Sequence, residues 1–410
     1  MFLVKRAYFN KIYIIKGLMT ALFLSAFIYL AYFNIEYKIL NTILGLVSLY
    51  LLLKIERAAL FFTGFFIGIL WFYWIGISFQ YYNLTILSPL IVLAFGLGYG
   101  LIFLLIAIYD KIFFRIIIIF LLSYIHPFGF NWFIPELVFI NSYLPTSKEY
   151  FAVILASVFM FIQLNKKLKV LSLIPLYLIS TNLGLYIDNP SIKISMPQLN
   201  VSQEQKWVKN NTSTILKDNF KLIDNAILEG KELVILPETV FPILLNKENF
   251  LMHQLEEKSH EIDIIAGALY SENRQYYNAT FHFSKGKLNI AKKVVLVPFG
   301  EEIPLPKFFV DLINDTFYNG AQDYTKAKKP TDFLIRGTKF RNAICYEATS
   351  EEIYQNLNGV KYMIATSNNA WFTPSIEPTL QKMILKYYAK KYNITIFHSI
   401  NGSENYIVRP

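Results

Sequence analysis

Long runs of apolar residues fill the first half of this chain and constrain its fold more than any other feature. A helix that crosses a bilayer needs about 20 apolar residues, which the third and fourth runs reach easily. No small-residue cleavage site follows the first run, which argues against a signal peptide. We therefore expect a transmembrane domain over residues 1–190 with about seven helices. The runs lie at about 17–33, 39–53, 58–79, 84–109, 112–131, 150–164 and 168–185.

The distribution of charge predicts the orientation of these helices. If the N-terminus is cytoplasmic, eleven Lys and Arg residues lie in inside loops, and only Lys38 and Lys148 lie outside. This positive-inside bias, with an odd number of spans, places everything after Leu185 outside the cytoplasm. Residues 1–190 hold 13 Lys/Arg against 6 Asp/Glu. Because these excess cations flank apolar runs and form no basic face, the charge argues against nucleic-acid binding.

Three features of the first half need interpretation. Gly96, Gly98 and Gly100 lie within an apolar run with no Lys-Ser/Thr after them, so close helix packing is favoured over a nucleotide loop. The segment 126–145 is rich in Pro, Gly and aromatic residues and is interpreted as a re-entrant or surface segment on the outer side. Its His126 and Glu136 are weak candidates for substrate contact.

The second half, residues 191–410, alternates between strand-like runs and amphipathic stretches, which indicates crossover units and a mostly parallel or mixed sheet. Helices are expected near 207–229, 247–260, 350–357 and 377–391. Strands are expected at IKISMPQL, ELVILPE, IDIIAGALY, NATFHFS, KKVVLVPF, FRNAICYE, KYMIATSN and NITIFHSI.

Three of these segments each carry one reactive side chain at or near a strand end, where parallel sheets usually place their chemistry. Glu238 lies in LVILPETVFP, Lys293 in AKKVVLVPFGEE, and Cys345, the sole cysteine, in FRNAICYEAT. A base, a cation and a thiol are the parts needed for acyl transfer through a thioester. Taken alone, each residue also has a non-catalytic explanation. The cysteine could be a small buried hydrophobic residue, and the glutamate and the lysine could be surface charges.

Metal catalysis has little support in the sequence, and no cofactor is expected. The five histidines show no paired ligand spacing. They are His126, His253, His260, His282 and His398.

Taken together, these segments resemble the nitrilase-like carbon–nitrogen hydrolase superfamily, whose triad is Glu, Lys and Cys in this chain order. Within it, the chain is most similar to the membrane-bound apolipoprotein N-acyltransferases. The resemblance selects Glu238, Lys293 rather than Lys292, and Cys345 as catalytic. It also implies a fold, a multi-span α-helical membrane domain followed by an α/β domain with an α-β-β-α sandwich. Supporting or substrate-binding residues implied by the matching motifs are Trp207, Asn278, Glu301, Tyr346, Glu347, Trp371 and Phe372.

What the resemblance implies about function is an expectation. A fatty acyl chain would move from a phospholipid to Cys345, and then to the N-terminal amine of diacylglyceryl-cysteine in an apolipoprotein. Glu238 would act as base and Lys293 would stabilise the oxyanion. Trp207, Trp371 and Phe372 would line the acyl entrance, with core packing as an equal rival. The expected location is the bacterial inner membrane, with the catalytic domain facing the periplasm.

Two alternatives stay open at this level. One is a membrane-tethered amidase, in which water replaces the amine; the other is a transporter or sensor with an inactive nitrilase-like domain. The resemblance also implies further strands and a last membrane helix beyond Pro410. On that basis we expect the family's C-terminal end to be missing from this chain, which puts completion of the sheet in question.

Overall fold

Two compact units make up the protein in a computed structural model that describes residues 10–180, 189–304, 310 and 324–410. The helical unit comprises residues 10–125, 133–180 and 374–387. The α/β unit comprises residues 126–132, 189–304, 324–373 and 388–410. The short segment 126–132, expected to be part of a re-entrant stretch, therefore groups with the α/β unit.

Seven helices of the helical unit follow the apolar runs predicted from the sequence. Three stretches are long and apolar enough to cross a membrane in the part of the chain that the structure describes: Lys11–Tyr32, Arg57–Tyr82 and Thr85–Ala107. The other helices are shorter than 18 residues, so the count of about seven spans stays a prediction. The helices are α1 (Lys11–Tyr32), α2 (Lys38–Lys54), α3 (Arg57–Phe72), α4 (Ser88–Leu104), α5 (Ile112–Leu122), α6 (Lys148–Gln163) and α7 (Leu173–Ser180).

Glycines bring α3 and α4 into close contact. A Cβ atom on Gly64 of α3 would overlap the carbonyl oxygen of Tyr99, and one on Gly100 of α4 would lie 2.8 Å from the ring of Phe61. Gly98, on the same helix as Gly100, has nothing within 4 Å of such an atom. The prediction that Gly96 and Gly100 serve helix packing is confirmed, because both approach rings of α3.

Two buried charged residues of the helical unit, Arg115 and Glu136, have partners of opposite charge. The Arg115 guanidinium at the start of α5 donates to the carbonyl oxygen of Leu53 at 3.0 Å and pairs with Asp110. Glu136, a weak candidate for substrate contact, is fully buried and pairs with Lys148 at 2.8 Å. This ion pair gives Glu136 a structural explanation.

Two mixed sheets form the α/β unit. The first has the order β1-β2-β4-β5-β6, with β3 also on β4, and its pairs are parallel except for the hairpins β4/β5 and β5/β6. Its strands are β1 (Ile194–Ser195), β2 (Leu233–Ile235), β3 (Phe241–Leu244), β4 (Asp263–Glu272), β5 (Gln275–Ser284) and β6 (Lys287–Lys292).

The second sheet has the order β11-β10-β9-β8-β7, with the parallel strands β8, β9 and β10 at its centre. Its strands are β7 (Asp332–Ile335), β8 (Thr338–Ile344), β9 (Tyr362–Asn368), β10 (Thr395–Asn401) and β11 (Tyr406–Val408). Apolar side chains from both sheets, such as Ile235 and Phe340, share one core. The first sheet's other face is covered by α9 (Lys209–Leu228) and α10 (Asn249–Lys258).

The prediction of helices followed by an α/β domain with two packed sheets is confirmed. Two local predictions are wrong. The run KKVVLVPF is not one strand, because β6 ends at Lys292. The stretch 350–357 holds only a short 3₁₀ turn, Glu351–Tyr354, and Asn356 and Asn358 beyond it have positive φ. The last helix, α11 (Glu377–Tyr392), was expected at 377–391.

Candidate active site

Cys345 follows directly after β8, in the middle of the second sheet. It begins the 3₁₀ turn Cys345–Thr349, and its side chain is half-buried. Its φ of 53° lies in the left-handed region, which costs a non-glycine residue of order 1–3 kcal/mol. Such strain persists only where the surrounding structure holds it, and it is typical of functional turns.

The Glu347 carboxylate holds this turn in place. One oxygen accepts from the Ile344 N–H at 2.6 Å, and the other accepts from the N–H groups of Val294 at 2.7 Å and Val295 at 3.2 Å. Burial raises the pKa of Glu347 to about 7, against these donors and Lys293, which act in the opposite direction. Glu347 thus ties the cysteine turn to the residues that follow Lys293.

Lys293 is completely buried and lies between two carboxylates. Its Nζ is 2.6 Å from Glu301 Oε2 and 4.0 Å from Glu238 Oε1. Burial alone lowers the pKa of this lysine, but Glu301, Glu238 and Cys345 outweigh it, so the pKa lies above its ordinary value. Lys293 is therefore a permanent cation within electrostatic reach of the thiol.

Lys292 has a different environment. Its ammonium pairs with Glu272 at 2.6 Å and lies over the rings of Tyr270 and Tyr277. The two adjacent lysines therefore serve separate contacts, and only Lys293 reaches the carboxylate cluster in the contacts described for the two side chains.

Glu238 lies in the turn after β2, and this turn packs closely against the backbone of β4. Gly267 of β4 faces this turn, and a Cβ atom there would lie 2.7 Å from Glu238 Cα and 2.5 Å from the Thr239 nitrogen. The next residue, Thr239, has a φ of 46°, which again indicates a tight turn held by its surroundings. Only glycine on β4 lets the turn approach this closely.

Asn278 of β5 bridges the two acidic residues. Its Nδ2 donates to Glu238 Oε1 at 2.7 Å and to Glu301 Oε1 at 3.3 Å. Glu301 Oε2 in turn accepts from the Val297 N–H at 2.9 Å. These bonds fix the orientation of both carboxylates relative to Lys293.

Tyr346, next to the cysteine, packs in an aromatic stack with the segment 126–132. Its ring is parallel to that of Phe130, with 6.3 Å between ring centroids, and nearly parallel to that of Trp132. Its hydroxyl donates to the Gly129 carbonyl at 2.9 Å. Trp132 Nε1 also donates to Thr349 Oγ1 at 2.8 Å, at the end of the cysteine turn. The segment 126–132 thus supports the turn directly.

A cavity of about 510 Å³ opens beside this cluster within the α/β unit. Val294 and Tyr346, the neighbours of the cation and the thiol, line it together with Phe128 and Pro298. The exposed rings of Phe128 and Phe299 lie edge to face, with 5.6 Å between centroids. Glu302, Lys326, Lys328 and Glu352 also line it, so the cavity has both apolar and charged walls.

Sequence reasoning missed two residues of this cluster. Lys206, at the end of the short helix α8 (Gln203–Lys206), is buried, and its Nζ donates to the Glu238 carbonyl at 3.0 Å. Tyr324 lies near the carboxylates: burial, with Glu301 and Glu238, raises its pKa to about 12. The only signal for Lys206 was its place beside Trp207, and Tyr324 had none.

The three residues expected at an acyl entrance lie at the ends of local elements. Trp207 follows α8 and is 44% exposed. Trp371 ends a 3₁₀ turn after β9, and it and Phe372 are half-buried. Their role at an entrance stays a prediction. No group of three or more His, Cys, Asp or Glu residues suited to a metal occurs within residues 10–180, 189–304, 310 and 324–410.

Comparison with known proteins reveals relatives over nearly the whole chain. Residues 11–182 match the family model of the apolipoprotein N-acyltransferase integral membrane domain. An apolipoprotein N-acyltransferase of Wolinella succinogenes is 44% identical over 96% of this chain and 95% of its own length. That of Campylobacter jejuni is 37% identical over 97% of this chain and 90% of its own length.

Solved structures similar to this chain include a carbon–nitrogen hydrolase superfamily protein from Xanthomonas campestris. It has 13% sequence identity and a TM-score of 0.39, and the match covers 51% of this chain and 76% of that protein. The sequence relatives are far more similar and span both units. On the strength of these relatives, the chain belongs to the apolipoprotein N-acyltransferase family.

Proposed function

We propose that this protein transfers a fatty acyl chain from a phospholipid, through a thioester on Cys345, to the N-terminal amine of a diacylglyceryl-cysteine in an apolipoprotein. The observation that carries this proposal is the cluster of Glu238, the buried Lys293 and Glu301 near the strained turn of the only cysteine. Family membership supplies the reaction class, N-acyl transfer, and the geometry supports the assignment of roles.

In the first half-reaction, Glu238 takes the proton of the Cys345 thiol, and the thiolate attacks the ester carbonyl of the donor. The carbonyl oxygen becomes an oxyanion, and Lys293 stabilises it. Glu238 then returns its proton to the leaving glycerol oxygen as the carbon–oxygen bond breaks, which leaves the acyl group on sulfur. Lys293 suits this role because its two carboxylate neighbours raise its pKa and so favour the protonated form.

In the second half-reaction, the acceptor amine attacks the thioester carbonyl while Glu238 takes a proton from the nitrogen. The carbon–sulfur bond breaks, an amide forms, and Glu238 returns its proton to the sulfur, which regenerates the Cys345 thiol for another acyl chain. Asn278 and Glu301 hold Glu238 and Lys293 in place during both steps.

The decisive experiment separates the two half-reactions. Purified full-length protein incubated with phospholipid alone should give lysophospholipid and a hydroxylamine-sensitive acyl adduct on Cys345, detected by mass spectrometry. A diacylglyceryl peptide should then discharge the adduct. Discharge by water at the same rate would identify a hydrolase and overturn the proposal. Cys345→Ser should lose most turnover, because a hydroxyl is far less acidic than a thiol.

The α/β unit is proposed to face the periplasm from the bacterial inner membrane. The charge bias of the loops, eleven Lys and Arg residues against two, supports this orientation. Reporter fusions near residue 200 test it, since a reporter active only outside the cytoplasm should be active there. A cytoplasmic signal at this position would make a lipoprotein acceptor untenable.

A further inference from the structure

Two lysine side chains are buried in the part of the chain that the structure describes, Lys293 and Lys206. Lys293 has two carboxylate oxygens within 4.0 Å of its Nζ. Lys206 instead donates to a backbone carbonyl, that of Glu238, at 3.0 Å. Burying an ammonium group costs several kcal/mol unless opposite charge or hydrogen bonds compensate. The burial of Lys206 therefore requires an explanation.

A polar network fixes the short helix that carries Lys206. Gln203, one turn earlier on α8, accepts from Asn368 Nδ2 at 2.8 Å, and Asn368 accepts from Asn401 Nδ2 at 2.8 Å. Asn401 also exchanges two hydrogen bonds of 2.8 Å with the backbone of Val201. These contacts anchor α8 on the ends of β9 and β10, next to the strand that leads to Cys345.

The charges that act on Lys206 identify its partners. Burial lowers its pKa to about 8, while Glu238 and Cys345 act in the opposite direction. The thiol of Cys345 is thus within electrostatic reach of both buried lysines. The other ionisable groups of the cluster are Glu301, Glu347 and Tyr324.

A charge count shows what the second cation does. Glu238, Glu301 and Glu347 together carry up to three negative charges, and Lys293 supplies one positive charge. Forming a thiolate while Glu238 is still ionised would leave three uncompensated negative charges in the site. Lys206 lowers this excess by one, and the transfer of the thiol proton to Glu238 lowers it by one more.

We propose that Lys206 is a positioning residue that serves as the second cation of the active site, stabilising the Cys345 thiolate and fixing the turn that carries Glu238. The inference rests on the proposed role of Cys345 as nucleophile. It differs from a purely structural role, in which the lysine only ties α8 to the Glu238 turn and leaves the acidity of the thiol unchanged.

The test uses the fact that Cys345 is the only cysteine of the chain. The rate of its alkylation by iodoacetamide in the full-length protein, measured against pH, reports the acidity of this one thiol. Lys206→Gln removes the charge but keeps a hydrogen-bond donor, so we expect it to raise the pH midpoint of alkylation by about one unit. Lys206→Arg, which keeps the charge, should restore the wild-type midpoint.

Lys209→Gln is the matched control, because Lys209 lies three residues further on and is exposed. It removes the same charge and should leave the midpoint in place. Thermal unfolding of each variant checks the fold, and Lys206→Met serves as a second neutral variant if Lys206→Gln does not fold.

A midpoint unchanged in a folded, neutral Lys206 variant would overturn the inference and leave the proposed function intact. Conversely, a shifted midpoint without any acyl adduct would support Lys206 as the second cation and refute the proposed reaction. The alkylation assay involves no acyl transfer, so the two failures can be told apart.

Discussion

The interior of the helical unit and the interior of the α/β unit are stabilised by different kinds of contact. In the helical unit, α3 and α4 pack through glycines, and its buried charged residues among those described are only Arg115, Glu136 and Glu377. In the α/β unit, a single site gathers Lys206, Glu238, Lys293 and Glu347 as buried charges.

This difference shows where each unit is sensitive to mutation. Helix packing through small residues depends on shape, and a change of volume is felt as lost packing and stability. The stability of a buried polar cluster depends on the placement of its charged groups, because each charge needs its partner at hydrogen-bond distance. Mutations that change side-chain volume should therefore lower the stability of the helical unit. Mutations that displace a charged group should lower the reaction rate at the site in the α/β unit.

Lys293→Met tests the polar side of this comparison and should have the largest effect. It removes the proposed oxyanion cation and leaves Glu238 and Glu301 without their ammonium partner, so thioester formation should fall by about 10²–10³ or more. Single-turnover assays with phospholipid measure this rate. Lys292→Met is the matched control and should retain most activity, since Lys292 pairs with Glu272 instead. Equal losses in both variants, with folding intact, would refute the assignment.

Gly267→Ala introduces a steric clash beside Glu238 and should have the next largest effect. The new methyl group would collide with the backbone at Glu238 and Thr239. The displaced carboxylate should cost up to about 10²-fold in thioester formation, as small misplacements of catalytic groups do. Thermal unfolding of the same sample shows how much of the loss is stability. Full activity would mean that the turn accommodates the methyl group and that glycine is not required.

Gly64→Ala tests the packing side and should have the smallest effect on chemistry. Its methyl group would overlap the Tyr99 carbonyl, so we expect a loss of about 1–3 kcal/mol in stability, measured as a lower unfolding temperature. Thioester formation per folded molecule should stay near wild type. Gly98→Ala is the control, because its methyl group meets nothing within 4 Å. A change in rate without a change in stability would contradict the comparison.

The sequence was sufficient to predict the two-part fold, because apolar runs and alternating strand-like segments are local signals. The catalytic roles of Glu238, Lys293 and Cys345, which rest on short local motifs, stay a prediction. The path of the chain at Lys293 was not predictable in this way. The run KKVVLVPF has strand composition, yet the Val294 and Val295 N–H groups donate to the Glu347 carboxylate, 53 and 52 residues away in the chain. A side chain distant in sequence thus takes bonds that a sheet partner would otherwise accept.

Lys206 and the segment 126–132 escaped prediction for a related reason. Apart from its place beside Trp207, nothing near Lys206 in the sequence distinguishes it from the chain's many exposed lysines, since its burial depends on β9, β10 and the Glu238 turn. Similarly, the aromatic residues Phe130 and Trp132 looked like part of a re-entrant or surface segment. Their stacking partner, Tyr346, lies more than 200 residues later.

The Glu347 carboxylate joins the turn that carries Cys345 to the backbone that follows Lys293. Because one side chain bonds the backbone on both sides, the nucleophile turn and the segment after the cation move as one rigid piece. In the reaction proposed above, a lipid ester and then an amine would each approach this same pair of groups. On that mechanism, any rearrangement that admits one substrate and releases the other would take place around this piece, and the second tetrahedral intermediate would meet the geometry used for the first.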